Sequence, residues 1–318
     1  MQLLKYFHEL TLHPANARQL KSLILQLAVQ GKLTAQWRKE NPDVEPAAKL
    51  LERVKAEKER LIKEKKIKKE KSLEPINSKE IKSIFPVNWS HVRLGDIGDW
   101  GAGATPLRSN SSFFDGNINW FKSGELNDGI IDYDSEEKVT ETALAKASLR
   151  SNKPGDVLIA MYGATIGKTA ILNVYATTNQ AVCACTCFSC ITNLFLHLLL
   201  KALRTNFLNQ GEGGAQPNIS RIKIRQQVIG LPPLEEQKAI VETVDKLFKE
   251  VEQLEQLTES RIRIKEQFAL SALRRLAENN TPQEWEALQP HFHTFFNHAP
   301  NIKKLRETIL QLAVQGKL

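Results

Sequence analysis

Apolar positions set the first boundaries along the chain. From Asn16 to Val29, Leu20, Leu23, Ile24 and Leu27 recur at helical spacing and Gly31 supplies a stop, so a helix is expected there. A Lys/Glu-rich segment follows and also reads as helical. At Phe85 the texture changes to short apolar alternations broken by Gly, Pro and Trp, as in "PVNWSHVRLGDIGDWGAGATP". Strands and loops are therefore expected up to "IGLPPL", where Pro232 and Pro233 close a strand and open a helix. In the helix that follows, Ile240, Val244, Leu247, Val251 and Leu254 recur at alternating steps of four and three, a coiled-coil seam. The phase slips near Leu257 and resumes through Ile264 and Phe268. Leu273 and Leu276 extend the apolar face to a break at "ENNTPQ", a span on the order of 60 Å at helical rise. The expected fold class is α+β: a mixed strand/helix domain at 85–230, an N-terminal helical segment with a basic linker at 1–84, and a long-helix spacer at 231–318.

The spacer ends in a copy of the opening helix. "ILQLAVQGKL" occupies both Ile24–Leu33 and Ile309–Leu318. Upstream, Phe7-His8 and His13 align with Phe292-His293 and His298, and Asn16 and Leu20 align with Asn301 and Leu305. Solenoid repeats recur every few tens of residues. This one encloses nearly the whole chain, so the chain reads as one unit of a larger cycle plus the first element of the next.

Composition narrows the class without choosing a function. The 318 residues have room for one large domain or two ordinary ones, and the apolar and charged fractions are those of a soluble globular protein. The longest apolar run, Leu194 to Leu200, contains His197 and is too short to span a bilayer. The first residues lack signal-peptide order, so a cytoplasmic location is expected. The net charge of +8 is concentrated between Lys49 and Lys71, where eleven Lys or Arg face five Glu. Such a run is either a solvated helix or a basic arm beside a phosphate backbone.

Candidate chemistry is sparse. Cys183, Cys185, Cys187 and Cys190 sit at strand spacing rather than the two to four residues and turn of a structural zinc site, so buried reduced thiols are expected. His8 and His13, five apart, do not share a helical face; packing or capping is their expected role. "YGATIGKTA" leaves three residues between Gly163 and Gly167 where a Walker A loop needs four, and a strand rather than a helix follows, so a hairpin tip is expected. Asp115, Glu136 and Lys138 give a permissive metal-nuclease pattern. The polar, Gly-flanked loops "GAGATPLR", "WFKSGELNDG", "YGATIGKT" and "GGAQPNISRIK" suit a DNA reader better, because their side chains fit base edges and phosphates. The candidate contacts are Thr105, Arg108, Lys122, Ser123, Tyr162, Lys168, Gln216, Asn218, Arg221 and Lys223.

The run "PVNWSHVRLGDI…GAGATP", the "KPGDVLIAMYGATIGKTAI" hairpin, "GGAQPNIS" and "LPPLEEQKAIVETVD" resemble the specificity subunit of type I restriction-modification enzymes, over Ala17 to Leu318. That resemblance implies target recognition domains alternating with helical spacers, each domain reading half of a bipartite site in double-stranded DNA. It implies no catalysis and no cofactor on this chain. S-adenosylmethionine, ATP and Mg would belong to the modification and restriction subunits it recruits. The family's usual form carries two recognition domains and two spacers, whereas one of each is expected here, either as a half-length subunit or as part of a longer chain. Pairing with a second copy of itself would restore two readers. Leu20, Ile24, Leu27, Ile240, Val244, Leu247, Val251, Leu254, Ile309 and Leu312 would form the spacer and dimer interface, with antiparallel long helices setting the spacing. A metal-dependent nuclease and a helical scaffold that never touches DNA are the competing readings.

Overall fold

The computed structural model describes residues 15–81, 85–211, 218–279, 282–297 and 299–317. His8, His13, Gln216 and His298 lie outside them. Helix α1 is Asn16–Val29, and Gly31 ends it with φ +69°, Gly31 N–H reaching Ala28 O at 2.9 Å and Lys32 N–H reaching Leu27 O at 3.0 Å. This is the left-handed stop that glycine supplies without steric cost. α2 is Ala35–Glu40 and α3 is Ala47–Lys63, which buries Ala47, Leu50 and Val54. The helix expected across the whole basic segment stops here. Lys65 has φ +55°, and Lys65 and Lys69 would repel each other at helical i,i+4 spacing. The chain beyond is held by tertiary ties instead: Glu70 pairs with Arg221 and Arg225, and Arg93 donates to Glu74 O and Pro75 O.

The strands are β1 (Ser90–Arg93), β2 (Gly98–Ala102), β3 (Phe114–Phe121), β4 (Ile130–Ile131) and β5 (Lys138–Val139), then helix α4 (Glu141–Lys146). β6 (Val157–Ala160), β7 (Thr169–Leu172), β8 (Ala176–Thr178) and β9 (Val182–Cys187) follow, then α5 (Asn193–Ala202), α6 (Arg204–Asn209), α7 (Arg221–Gln226) and β10 (Val228–Leu231). β6 and β7 form the expected antiparallel hairpin around "YGATIGKT". One sheet has the order β2-β9-β6-β7-β4, a second β5-β3-β8, and β1 pairs with β10. Every residue of β6 and β7 is buried, as in a sheet covered on both faces. Leu158, Ala160, Ala170, Leu172, Val182 and Ala184 pack with Phe121, Leu126 and Ile131. Full burial of each large aliphatic side chain contributes about 1.5–3 kcal/mol. The antiparallel register Ser90↔Leu231 closes the strand-rich region on itself.

α8 is Leu234–Asn279, α9 Pro282–Leu288, α10 Phe292–Phe295 and α11 Ala299–Val314. Two compact units result, residues 22–247 and residues 1–21 with 248–318. Along α8, Ile240, Val244 and Val251 are buried, with Leu247 and Leu254 half-buried. Past Leu257 the seam departs from expectation. Ile264 is exposed, and Ala269, Ala272 and Leu273 instead pack against Leu288 and Phe296. Phe268 stacks on Phe295 at 4.2 Å. The short helices α9 and α10 fold back onto this stretch, and the small Ala side chains let them approach. No helix among the described residues is long and apolar enough to cross a membrane.

Candidate nucleic-acid interface

Strand direction gathers the polar loops. β2 and β9 run antiparallel with Ala102 opposite Cys183, and β9 and β6 with Val182 opposite Ala160. β6 and β7 place Ile159 opposite Thr169, while β3 and β8 run parallel and end together at Phe121 and Thr178. The ends of six strands therefore meet on one rim. Backbone bonds sew the loops there: Gly103 N–H to Val182 O, Ala104 N–H to Thr178 O, Asn179 N–H to Phe121 O, Met161 N–H to Ala181 O and Ile219 N–H to Met161 O, all at 2.8–3.0 Å. At Gly103 a Cβ would lie 2.2 Å from Thr178 O, so the close approach requires glycine.

Most of the expected contacts stand on this rim. Thr105 donates to the Gln180 side chain. Lys122 and Ser123 follow the end of β3, where the Glu125 carboxylate accepts from Lys122 N–H at 2.8 Å and Glu136 N–H at 2.9 Å. Tyr162 is exposed on the hairpin and bridges to Asn218 through the backbone. Lys168 is half-exposed on the same tip. Arg108 lies over the rings of Phe114 and Trp120, at 4.8 and 5.1 Å. Its guanidinium reaches Glu137 Oε2 at 2.5 Å, and Lys122 Nζ reaches Glu137 Oε1 at 2.6 Å. Hydrogen bonds from Arg108, then Lys122, hold the Glu137 carboxyl below its usual range, and Glu137 raises the Lys122 ammonium in turn. Two further cations bond within the chain: Arg221 binds Glu70 and Trp100 O, and Lys223 donates to Gln210 O.

The remaining candidates separate from the rim. Burial pushes the Cys183 and Cys190 thiols up to about 12 and Cys185 well above its usual value, which suits apolar packing rather than metal binding or nucleophilic work. Among the described residues no three His, Cys, Asp or Glu side chains converge as a metal site. Of the metal-nuclease pattern, Lys138 pairs with Asp134 and Glu136 with Lys122, so both are engaged by other side chains. Of the spacer residues, Leu20, Ile24 and Leu27 are half-buried, Leu312 is buried and Ile309 is exposed. Sequence reasoning missed Gln180, Glu137 and Asp128. Asp128 adopts φ +59° and accepts from Thr169 N–H at 2.9 Å and Arg204 at 3.1 Å, tying the tip end of the hairpin to α6.

The "Type I restriction modification DNA specificity domain" family model matches residues 86–261, more than half of the chain. The chain belongs to this family. Among specificity-domain relatives, the type I restriction enzyme EcoAI specificity subunit of Escherichia coli is 30% identical over 316 residues, covering 95% of this chain and 52% of its own length. The EcoEI specificity subunit of the same organism is 30% identical over 324 residues, covering 95% and 51%. The chain thus spans about half the length of these curated relatives. The HsdS subunit structure from Thermoanaerobacter tengcongensis aligns with a TM-score of 0.44 at 21% identity, covering 76% of this chain and 51% of that one.

Proposed function

We propose that this chain recognises a DNA sequence as a specificity component of a type I restriction-modification complex. Residues 85–230 act as the target recognition domain and the helices of 231–318 as the spacer. The observation that carries this reading is the single rim bearing Thr105, Arg108, Lys122, Ser123, Tyr162, Lys168 and Asn218 on loops sewn by backbone bonds. Such a rim offers donors for base edges and cations for phosphates on a rigid base. Gln216, Arg221 and Lys223 complete the proposed contact set. The chain performs no catalysis: modification subunits supply S-adenosylmethionine-dependent adenine methylation, and restriction subunits supply ATP-driven cleavage. The complex works in the cytoplasm, and two copies of the chain pair within it. The test is methylation mapping of DNA exposed to the reconstituted complex. A defined bipartite site is expected. Methylation without sequence preference, or cleavage by this chain alone with magnesium that Glu136→Ala abolishes, would overturn the reading.

A further inference from the structure

Resting on that reading, we infer that Arg108 reads a guanine in the half-site, with Glu137 as its positioning residue. The guanidinium is fixed from three directions. It lies over Phe114 and Trp120, and Glu137 holds one end through Nη1. The supports are themselves anchored: Trp120 Nε1 donates to Ala104 O at 3.1 Å, and Ser135 Oγ donates to Glu137 O at 2.6 Å. Trp120 is fully buried at the floor of this arrangement. An exposed arginine ordinarily samples many rotamers; this one has surrendered them before any ligand arrives, which lowers the entropic cost of binding. The Arg108 side chain nevertheless remains 55% exposed, and its Nε and Nη2 donors have no partner among the described residues. A planar pair of unpartnered donors on a half-exposed guanidinium matches the two acceptors, N7 and O6, of guanine's major-groove edge.

Charge decides between a base and a phosphate. Arg108 and Lys122 contribute two positive charges, and Glu136 and Glu137 contribute two negative ones within the same ion-pair group. The group is neutral as a whole, and an approaching phosphate would meet two carboxylates beside its cations. A guanine edge carries no net charge and needs only directed donors. Adenine would turn its N6 amino donor toward the guanidinium donors and be rejected. Phosphate gripping falls instead to Lys168, which has no acidic partner among the described residues.

The experiment is selection of bound duplexes from a randomised library by the full chain, read by sequencing, with a salt titration on the winning duplex. The native chain is expected to enrich a motif containing a guanine. Arg108→Gln should remove preference at that one position by roughly 10- to 100-fold and leave the other positions intact. Arg108→Lys, which keeps the charge and loses the planar fork, should lose the same preference. Glu137→Gln should weaken that preference while strengthening binding to unrelated DNA. Uniform weakening of all sequences by Arg108→Gln, with a salt slope shallower by about one, would assign Arg108 to phosphate and overturn the inference. An unchanged motif in the Arg108 variants overturns it too. Enrichment of nothing by the native chain would instead bring down the DNA-reading function, and this assignment with it.

Discussion

At the scale of single residues, two buried side chains show how much of the framework rests on polar bonds. Glu236 is fully buried and accepts from Thr34 Oγ1 at 2.8 Å, Trp89 Nε1 at 2.9 Å, Asn88 Nδ2 at 3.2 Å and the Arg38 guanidinium. Glu236→Ala leaves these donors without their acceptor and should cost about 3–5 kcal/mol, read as a lower urea midpoint with an unchanged slope. Next to it, Gln237 serves Cys190 O, Pro232 O and Thr192 N–H, so "LPPLEEQ" is a joint between elements distant in sequence. Its letters mark a helix start; its partners lie some 45 to 200 positions away and no local pattern reveals them. His197 makes a second case. Burial, reinforced by Lys201, lowers its imidazole from 6.5 to about 4, and its Nε2 has no partner among the described residues. Between those values the unfolded chain binds more protons than the folded one, so stability falls as pH drops from 6.5 through 4. His197→Leu should remove this contribution, at most about 3 kcal/mol at the acid end and nothing above pH 7, measured by denaturation at stepped pH.

At the scale of elements, local patterns were readable and long-range pairings were not. The stripe of α1, the β6–β7 hairpin and the span of α8 follow from periodicity, because each is settled by neighbours in sequence. The partnership of β2 with β9, and the closure of β1 on β10, depend on strands far apart in the chain, and any two alternating segments would satisfy the same pattern. The basic segment failed in part for a related reason: Glu70 and Arg93 hold it extended against α7 and β1, and no helical propensity reports that. For the candidate interface, Gly-flanked loops marked the proposed contacts that stand on the rim, while the Glu137 carboxylate that accepts from Arg108 required the fold. The hairpin tip gives a test at this scale. Gly163 and Gly167 have φ of +60° and +74°, so alanine is strained at both, by about 1–2 kcal/mol. A Cβ at Gly163 meets no atom of the described residues within 4 Å, whereas one at Gly167 comes within 2.6 Å of Arg204 Cγ. Gly167→Ala should therefore lower the melting temperature more than Gly163→Ala. Equal losses would mean that α6 does not buttress the tip.

At the scale of the whole molecule, one decapeptide occupies two environments. In both copies glycine ends the helix in the same way, Gly31 at φ +69° and Gly316 at φ +66°. Around Gly31 the space is filled, with Pro86 and Trp89 within 3.0 Å of where a Cβ would stand; around that of Gly316 no atom of the described residues beyond its chain neighbours lies within 4 Å. Ile24, Leu25 and Val29 are half-buried, but their counterparts Ile309, Leu310 and Val314 are 44%, 66% and 90% exposed. Identical apolar side chains gain the same free energy from burial wherever they stand, so the second copy retains an unmet tendency to associate. Two-fold pairing is the commonest way to meet it. The assembled enzyme is accordingly expected to contain two copies of this chain, measurable by native mass spectrometry. Ile309→Glu with Leu310→Glu should weaken that pairing at least tenfold while leaving the melting temperature of the free chain nearly unchanged, since both side chains already face water. Two identical readers related by a two-fold axis meet inverted half-sites, so the methylated sequence should be an interrupted palindrome. One chain per two modification subunits, or an asymmetric bipartite site, would show that the exposed copy serves some other contact.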